Sequence, residues 1–157
     1  MNFTEALSLA QKGEPEAFDI VYGCVYRDLY RIAYYSLRTN DDIKKAVTEA
    51  VKTCMMHCGE CKNQPGFRAY AVRMLCVQIV SCCQEYRKKG VPTKPVSDGL
   101  KQQFLRLTDA ERLVTAIWAV CGYNPKQLAI VTGLDEATAA EKLAAAQSKL
   151  ENLVIVF

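Results

Sequence analysis

The side chains with the most chemical potential lie in the segment CMMHCGEC, residues 54–61, which carries three cysteines and the chain's only histidine. Thiolates and neutral imidazole are zinc ligands, and thiolates also hold iron–sulfur clusters. The further candidates for such a ligand set are Cys76, Cys82 and Cys83. Because the segment lacks paired CxxC knuckles, and because a free cysteine packs as a small hydrophobe, Cys54 and Cys58 are interpreted as inward-facing packing residues. We expect no metal and no cofactor.

The rest of the composition argues against an enzyme. His57 has no local partner with which to form a nucleophile–base pair, and no glycine-rich phosphate-binding loop is present. The first residues, MNFTEALSLAQKGE, lack the basic flank and long apolar segment of a secretory signal. No apolar run approaches the roughly 20 residues that span a bilayer. We therefore expect a cytoplasmic protein, not associated with a membrane, whose cysteines are reduced.

Helical spacing of apolar residues predicts four helices in residues 1–90 and no strand. The first runs from Phe3 to Ala10, the second from Pro15 to about Thr39–Asn40, the third begins at a capping Asp41 or Asp42, and the fourth runs from Phe67 to about Lys88. The second helix carries tyrosines at 22, 26, 30, 34 and 35. Stacking on nucleic-acid bases is one interpretation of this row, but its helical spacing favours packing.

Residues 105–157 have the pattern of a helix-turn-helix unit. Thr108 and Glu111 form a capping-box pattern, and Gly122 is placed to end that helix. Asn124 is placed to cap the next helix, Gly133 to end it, and Asp135 to cap the last. Between the two parts, the two prolines and two glycines of KGVPTKPVSDG, residues 89–99, predict a linker, which is assigned to residues 91–104. The expected fold is therefore all-α, with two small helical domains joined by a linker.

The charge of the carboxyl-terminal part conflicts with its shape. Residues 105–157 carry five basic and six acidic residues, although the whole chain has a net charge of +3. DNA-reading domains are usually basic, because neutralising phosphates supplies much of their affinity. The inward stripe of the last helix is Ala139, Leu143, Ala146, Leu150 and Leu153. The outward face that remains is rich in alanine.

Taken in order, these segments resemble a bacterial RNA polymerase sigma factor of the extracytoplasmic-function type, and the resemblance covers the whole chain. The matching phrases are AQKGEPEAFDIVYGCVYRDLYRIAYYSL, GFRAYAVRMLCVQIVSCCQEYRKK, LTDAERLVTAIWAV and PKQLAIVTGLDEATAAEKLAAAQSKL. The resemblance implies a non-enzymatic transcription protein that binds RNA polymerase core and promoter DNA and is often restrained by an anti-sigma protein. It also implies that residues 1–90 bind polymerase and the downstream promoter hexamer, while residues 105–157 read the upstream hexamer.

The resemblance assigns expected contacts residue by residue. The expected DNA contacts are Arg73, Arg87, Lys88, Lys89, Lys126, Thr138, Lys142 and Lys149, and the expected polymerase contacts are Lys44, Lys45, Thr48 and Val51. Several positions depart from the family. Lys44 and Lys45 replace an acidic pair, Thr48 a glutamine and Val51 a large aromatic residue, while Val77 and Ser81 stand near positions that usually hold Asn and Asp. Ala140 and Ala145 replace basic residues of the last helix.

These departures leave two functional interpretations. In the first, the protein is a promoter-recognition factor. In the second, it is a sigma-shaped interaction module that has lost promoter binding and binds an anti-sigma or other regulatory protein through the alanine-rich face. The alanine-rich face of the last helix favours the interaction module. Alanine permits close approach of a partner helix, and it offers neither phosphate contacts nor hydrogen-bond donors to base edges.

Overall fold

A computed structural model describes residues 2–57, 64–94 and 96–150, and all eight elements in these ranges are helices. The elements are α1 (Phe3–Gln11), α2 (Pro15–Ser36), α3 (Asn40–His57), α4 (Gln64–Lys89), α5 (Gly99–Leu105), α6 (Asp109–Cys121), α7 (Pro125–Thr132) and α8 (Glu136–Lys149). No strand occurs in the described part of the chain. The all-α prediction is confirmed.

Helices α1 to α4 pack through apolar faces with helical spacing. Along α2, Val21, Val25, Leu29 and Ile32 are all buried, as steps of three and four residues require. Helix α3 packs mainly against α4, and α1 packs against α2. The ring of Phe67 on α4 is fully buried and meets Phe3 edge-on, with ring centroids 5.4 Å apart. These contacts hold α4 against α3 and, through Phe67, against α1.

Three helix ends differ from the sequence prediction, and the first is the start of α4, which lies at Gln64 and not at Phe67. The side chain that caps α3 belongs to Thr39, whose Oγ1 accepts a hydrogen bond from the Asp42 amide at 3.1 Å. Asp41 and Asp42 lie in the first turn of the helix, so the prediction that one of them is the cap was wrong. Helix α2 ends at Ser36, earlier than predicted, and the Ser36 hydroxyl donates to the Ile32 carbonyl at 2.7 Å.

The segment predicted as a linker contains helix α5. Asp98 caps this helix by accepting hydrogen bonds from the amides of Leu100 and Lys101. The same carboxylate accepts a 2.8 Å hydrogen bond from the Tyr34 hydroxyl, which ties α5 to α2. The ring of Phe104 is fully buried and lies 4.9 Å from that of Tyr35. The boundaries 1–90, 91–104 and 105–157 stay a prediction, but α5 belongs to the packed structure.

The ends of α6, α7 and α8 agree with the sequence. Thr108 and Glu111 form the predicted capping box of α6, and Asn124 forms a second capping box with Gln127 on α7. Gly122 and Gly133 end α6 and α7 with positive φ angles of 70° and 78°, which glycine adopts without strain. Asp135 caps α8 by accepting from the Thr138 amide at 2.7 Å.

Helix α4 is long and apolar enough to cross a membrane by length and composition alone, a property that was not expected from the sequence. Core helices of globular proteins meet the same criterion. Here Ala71, Leu75 and Ile79 are buried, and α4 packs against α2, α3, α6 and α7. The apolar character of α4 is therefore explained in part by the core.

The substitution Phe104→Ala tests whether α5 is anchored to the core. We expect it to reduce the free energy of unfolding by about 3–5 kcal/mol, because it leaves a cavity where a fully buried ring contacted α2. Urea denaturation followed by circular dichroism measures the change. The control is Lys94→Ala, at an exposed position of the same segment, for which we expect a change within about 0.5 kcal/mol. An equally small effect of Phe104→Ala would contradict the anchoring of α5.

Candidate nucleic-acid and partner interface

The end of α4 presents the densest group of expected DNA contacts. Arg87, Lys88 and Lys89 form its last turn, where cations also interact favourably with the helix dipole. All three are exposed, and Arg73 is exposed on the same helix. Lys89 forms an ion pair with Glu85 at 3.5 Å within α4. The positive charges are thus positioned at the surface, as nucleic-acid binding would require.

Arg87 is held by a carboxylate that the sequence did not single out. Its guanidinium lies 3.1 Å from Oδ2 of Asp109, at the start of α6. The other oxygen of Asp109 accepts a 2.5 Å hydrogen bond from Arg112, whose side chain is buried. Arg112 also donates to the Leu107 carbonyl at 3.1 Å. Arg87 is therefore partly neutralised and links α4 to α6.

The exposed face of α8 carries almost no positive charge. Its exposed positions are Glu136, Ala137, Glu141, Ala144, Ser148 and Lys149, of which only Lys149 is basic. Lys142 is half-buried and lines a cavity against α4 and α6, and the Thr138 amide is engaged by the Asp135 cap. Lys126 is exposed on α7. Thr138, Lys142 and Lys149 follow one another in steps of four and seven residues and therefore share one side of α8, where Thr138 and Lys142 are half-buried.

Lys149 is occupied by an ion pair within the protein. Its ammonium lies 2.9 Å from both carboxylate oxygens of Glu111, whose side chain is buried. The Thr108 amide donates to the same carboxylate at 3.0 Å. Burial alone raises the pKa of Glu111, but the hydrogen bonds from Lys149 and Thr108 outweigh it and hold the pKa below its usual value. This pair fastens the end of α8 to the beginning of α6.

The predicted polymerase contacts on α3 separate into two groups. Lys44 and Lys45 are exposed, whereas Thr48 is half-buried and forms a side-chain hydrogen bond with Tyr22. Val51 is fully buried, because the inward face of α3 repeats at 43, 47, 50, 51 and 54. Its prediction as a partner contact was therefore wrong: its methyl groups are core atoms.

The tyrosine row on α2 is explained by packing, as preferred from the sequence. The rings of Phe18, Tyr22, Tyr26, Tyr30 and Tyr34 follow one another with centroid separations of 5.8, 5.1, 5.6 and 6.3 Å. Each ring therefore packs on its neighbours one turn away. The row continues through Tyr35 to the buried ring of Phe104.

Of the described cysteines, Cys54, Cys76 and Cys83 are buried, Cys82 and Cys121 are half-buried, and Cys24 is exposed. Cys54 is fully buried, and its sulfur lies 3.8 Å from the Phe67 carbonyl. Burial raises the pKa of Cys76 to about 12 and that of Cys121 to about 11, so both are protonated at neutral pH. Cys58 and Cys61 lie outside the described residues. Within the described ranges, no group of three or more metal-ligating side chains comes together.

Comparison with known proteins extends over nearly the whole chain. The sequence is 23% identical over 167 residues to the ECF RNA polymerase sigma factor SigM of Mycobacterium tuberculosis, in the Erdman and H37Rv strains, covering 96% of this chain and 83% of the relative. The structure superposes on that of CnrH in complex with the cytosolic domain of CnrY with a TM-score of 0.68 and 16% identity, covering 94% of both chains. The chain matches no family model. These similarities confirm the resemblance stated from the sequence.

Removing the ammonium of Lys149 tests whether this residue is structural. We expect Lys149→Met to lower the free energy of unfolding by about 1–2 kcal/mol at pH 7, because the buried Glu111 carboxylate loses a charged donor. Since the folded-state pKa of Glu111 is depressed, the stabilisation is present above about pH 4.3 and is lost as the pH falls through the folded-state pKa.

Urea denaturation of both proteins from pH 3 to 7 measures this difference. Lys126→Met is the control, because Lys126 forms no ion pair among the described residues and is exposed. If Lys149→Met lowers the free energy of unfolding no more than Lys126→Met does, the ion pair with Glu111 does not stabilise the fold.

Proposed function

We propose that this divergent relative of the extracytoplasmic-function sigma factors is a cytoplasmic transcription-initiation protein that binds RNA polymerase core and promoter DNA. The observation that carries the proposal is similarity to one such factor along 96% of the chain, together with an all-helical fold shared over 94% of a solved structure. A partial match would support a single shared domain only. A match of this extent supports a shared organisation of the entire chain.

The proposed polymerase surface is the exposed side of α3, with Lys44 and Lys45 at its centre and Thr48 at its edge. The resemblance to the sigma-factor family implies acidic residues at both of these positions. A reversed charge at an interface changes the preferred partner, because like charges opposed across it cost several kcal/mol. The polymerase surface that this chain binds is therefore expected to be acidic.

The proposed downstream-promoter surface is α4, with Arg73, Arg87, Lys88 and Lys89. The proposed upstream contacts are Lys126, Thr138, Lys142 and Lys149 on α7 and α8. Phosphates must compete with Asp109 for Arg87 and with Glu111 for Lys149. Promoter binding by the isolated protein is therefore weak in this proposal, and polymerase supplies the additional contacts.

A second candidate function is supported by the exposed face of α8. Glutamate and alanine dominate this face, which suits a protein surface better than DNA. CnrH was solved in complex with a protein, the cytosolic domain of CnrY. In this candidate the chain is a sigma-shaped interaction module that binds an anti-sigma or other regulatory protein and does not bind promoters.

Reversing the charge of α3 tests polymerase binding. We expect Lys44→Glu with Lys45→Glu to weaken retention of purified RNA polymerase core at least tenfold, since two favourable charge pairs become repulsive. Pull-down with the tagged full chain over a range of core concentrations measures the effect. Lys12→Glu with Lys126→Glu is the matched control, because it makes the same change of charge at exposed positions outside α3. Retention that is absent in the wild type, or equally reduced in both variants, would refute the α3 assignment.

Adding charge to α8 distinguishes the two candidate functions. If the chain reads promoter DNA, Ala140→Lys with Ala145→Arg should change promoter affinity in the presence of core polymerase by no more than about threefold. If it is an interaction module, the wild type should scarcely bind DNA. The variant should then gain binding whose dependence of log affinity on log salt is steeper by about 2, as two new phosphate contacts predict.

Electrophoretic mobility shift or anisotropy with a promoter fragment between low and moderate salt gives these slopes. Ser8→Lys with Ser97→Arg adds the same charge at exposed positions away from α8 and controls for net charge. Failure of the wild type to bind any promoter fragment with polymerase, combined with gain of binding by the α8 variant, would reject the first candidate.

A further inference from the structure

An apolar groove runs along α4 where this helix faces α7 and the beginning of α6. Two cavities of about 460 and 390 Å³ open along it. Both are lined by Val80 of α4 and Thr132 of α7, so they are adjoining parts of one groove. The floor of the second cavity includes the apolar side chains of Ile79, Leu113 and Leu134. The groove is therefore elongated and has an apolar floor into which side chains of a partner can insert.

The exposed residues of α4 along this groove repeat with the spacing of a helix–helix seam. They are Arg73, Val77, Val80, Gln84 and Arg87, which follow one another in steps of four, three, four and three. Such a stripe extends about 21 Å along one side of a helix and is the arrangement against which a second helix packs. Val77 is 58% exposed and Val80 is 44% exposed. No described element of the chain covers them.

The charges at the groove define what can occupy it. Arg73 lies at one end of the stripe, and Arg87 and Lys142 lie at the other. The acidic residue in the lining is Asp109, which is already engaged by Arg87 and Arg112. An occupant that complements the groove therefore has apolar side chains at its centre and carboxylates towards its ends.

Nucleic acid fits the centre of the groove poorly. Valine side chains provide neither a hydrogen-bond donor to base edges nor a charge for phosphates. Apolar seams flanked by charge are instead typical of grooves that receive an amphipathic helix. Occupation of the seam would cover Arg73 and Arg87, so it would also compete with any DNA contact made by these residues.

We propose that the α4 seam, Arg73–Val77–Val80–Gln84–Arg87, is the docking site of an acidic amphipathic helix of a protein partner. The partner inserts apolar side chains beside Val77 and Val80 and places carboxylates near Arg73, Arg87 and Lys142. The proposal rests on the geometry of α4 and α7 and does not require that the chain bind polymerase or promoter DNA.

A synthetic probe tests the seam directly on the full chain. The probe is a fluorescein-labelled helical peptide with leucine at heptad positions a and d and glutamate at e and g. We expect saturable binding by fluorescence anisotropy, and we expect Val77→Asn with Val80→Asn to weaken it at least about tenfold through lost apolar burial. Arg73→Gln should weaken binding and reduce its dependence on salt.

Matched controls distinguish binding at the seam from non-specific hydrophobic association. Ile130→Asn changes an apolar side chain that is 62% exposed on α7 and lies outside the lining of both cavities, and we expect an effect within about twofold. A peptide of scrambled order should bind at least about tenfold more weakly, because its apolar residues no longer share one face. Circular dichroism verifies that each variant is folded.

Several results would overturn the proposal. These are absence of saturable peptide binding, equal binding of the scrambled peptide, and equal weakening by Ile130→Asn. If the valine substitutions weaken duplex DNA binding but leave peptide binding unchanged, the seam serves nucleic acid. If they abolish a dimer detected by sedimentation, the occupant is a second copy of the chain. Either outcome would also reject the proposed partner.

Discussion

The buried guanidinium of Arg112 constrains how the two ends of this molecule meet. A charge removed from water costs several kcal/mol unless paired and hydrogen-bonded. Asp109 provides the charge, the Leu107 carbonyl accepts a further hydrogen bond, and the sulfur of Cys83 on α4 lies 3.9 Å from the guanidinium. Because Asp109 also pairs with Arg87, the end of α4 is held against the start of α6.

This arrangement determines the surface that the protein presents. With the start of α6 fixed, Gly122 and the Asn124 cap direct α7 back towards α4. The outer stripe of α4 thereby becomes one wall of a groove, whereas eight other side chains of this helix are buried in the core. The Asp109 pair reduces the availability of Arg87 for phosphates, and the separate Glu111 pair does the same for Lys149. Internal electrostatics and external recognition therefore depend on the same few side chains.

Sequence reasoning succeeded where the determining interactions are short. The Thr108 capping box, the Asn124 and Asp135 caps, and the glycines that end α6 and α7 depend on residues within a few positions of one another. It failed for α5, since the prolines and glycines around this segment conceal the anchor formed by Asp98 and Phe104 with the distant helix α2. It also assigned Val51 to a partner surface by alignment with the family, although helical spacing alone places this residue inside.

The ion pairs of the candidate site could not be predicted from the sequence, because their partners are far apart along the chain. Lys149 and Glu111 are 38 residues apart, and only packing of α8 against α6 brings them together. A lysine near a helix end is normally a solvated charge, so its type carries no indication of a buried partner. The candidate DNA residues could thus be named from the sequence, but their competition with internal carboxylates could not.

Packing and recognition are physically separable in this fold, which allows one to be retained while the other changes. The core requires close-packed apolar side chains and helix ends whose backbone groups are capped, and the described helices have both. Recognition depends on a handful of exposed positions, where two lysines lie on α3, valines occupy the outer stripe of α4, and alanines lie on α8. A valine on that stripe contributes nothing to the core while exposing apolar surface to water. Its physical advantage comes only when another apolar surface covers it, and for this reason the outer stripe of α4 points to a partner more directly than the overall fold does.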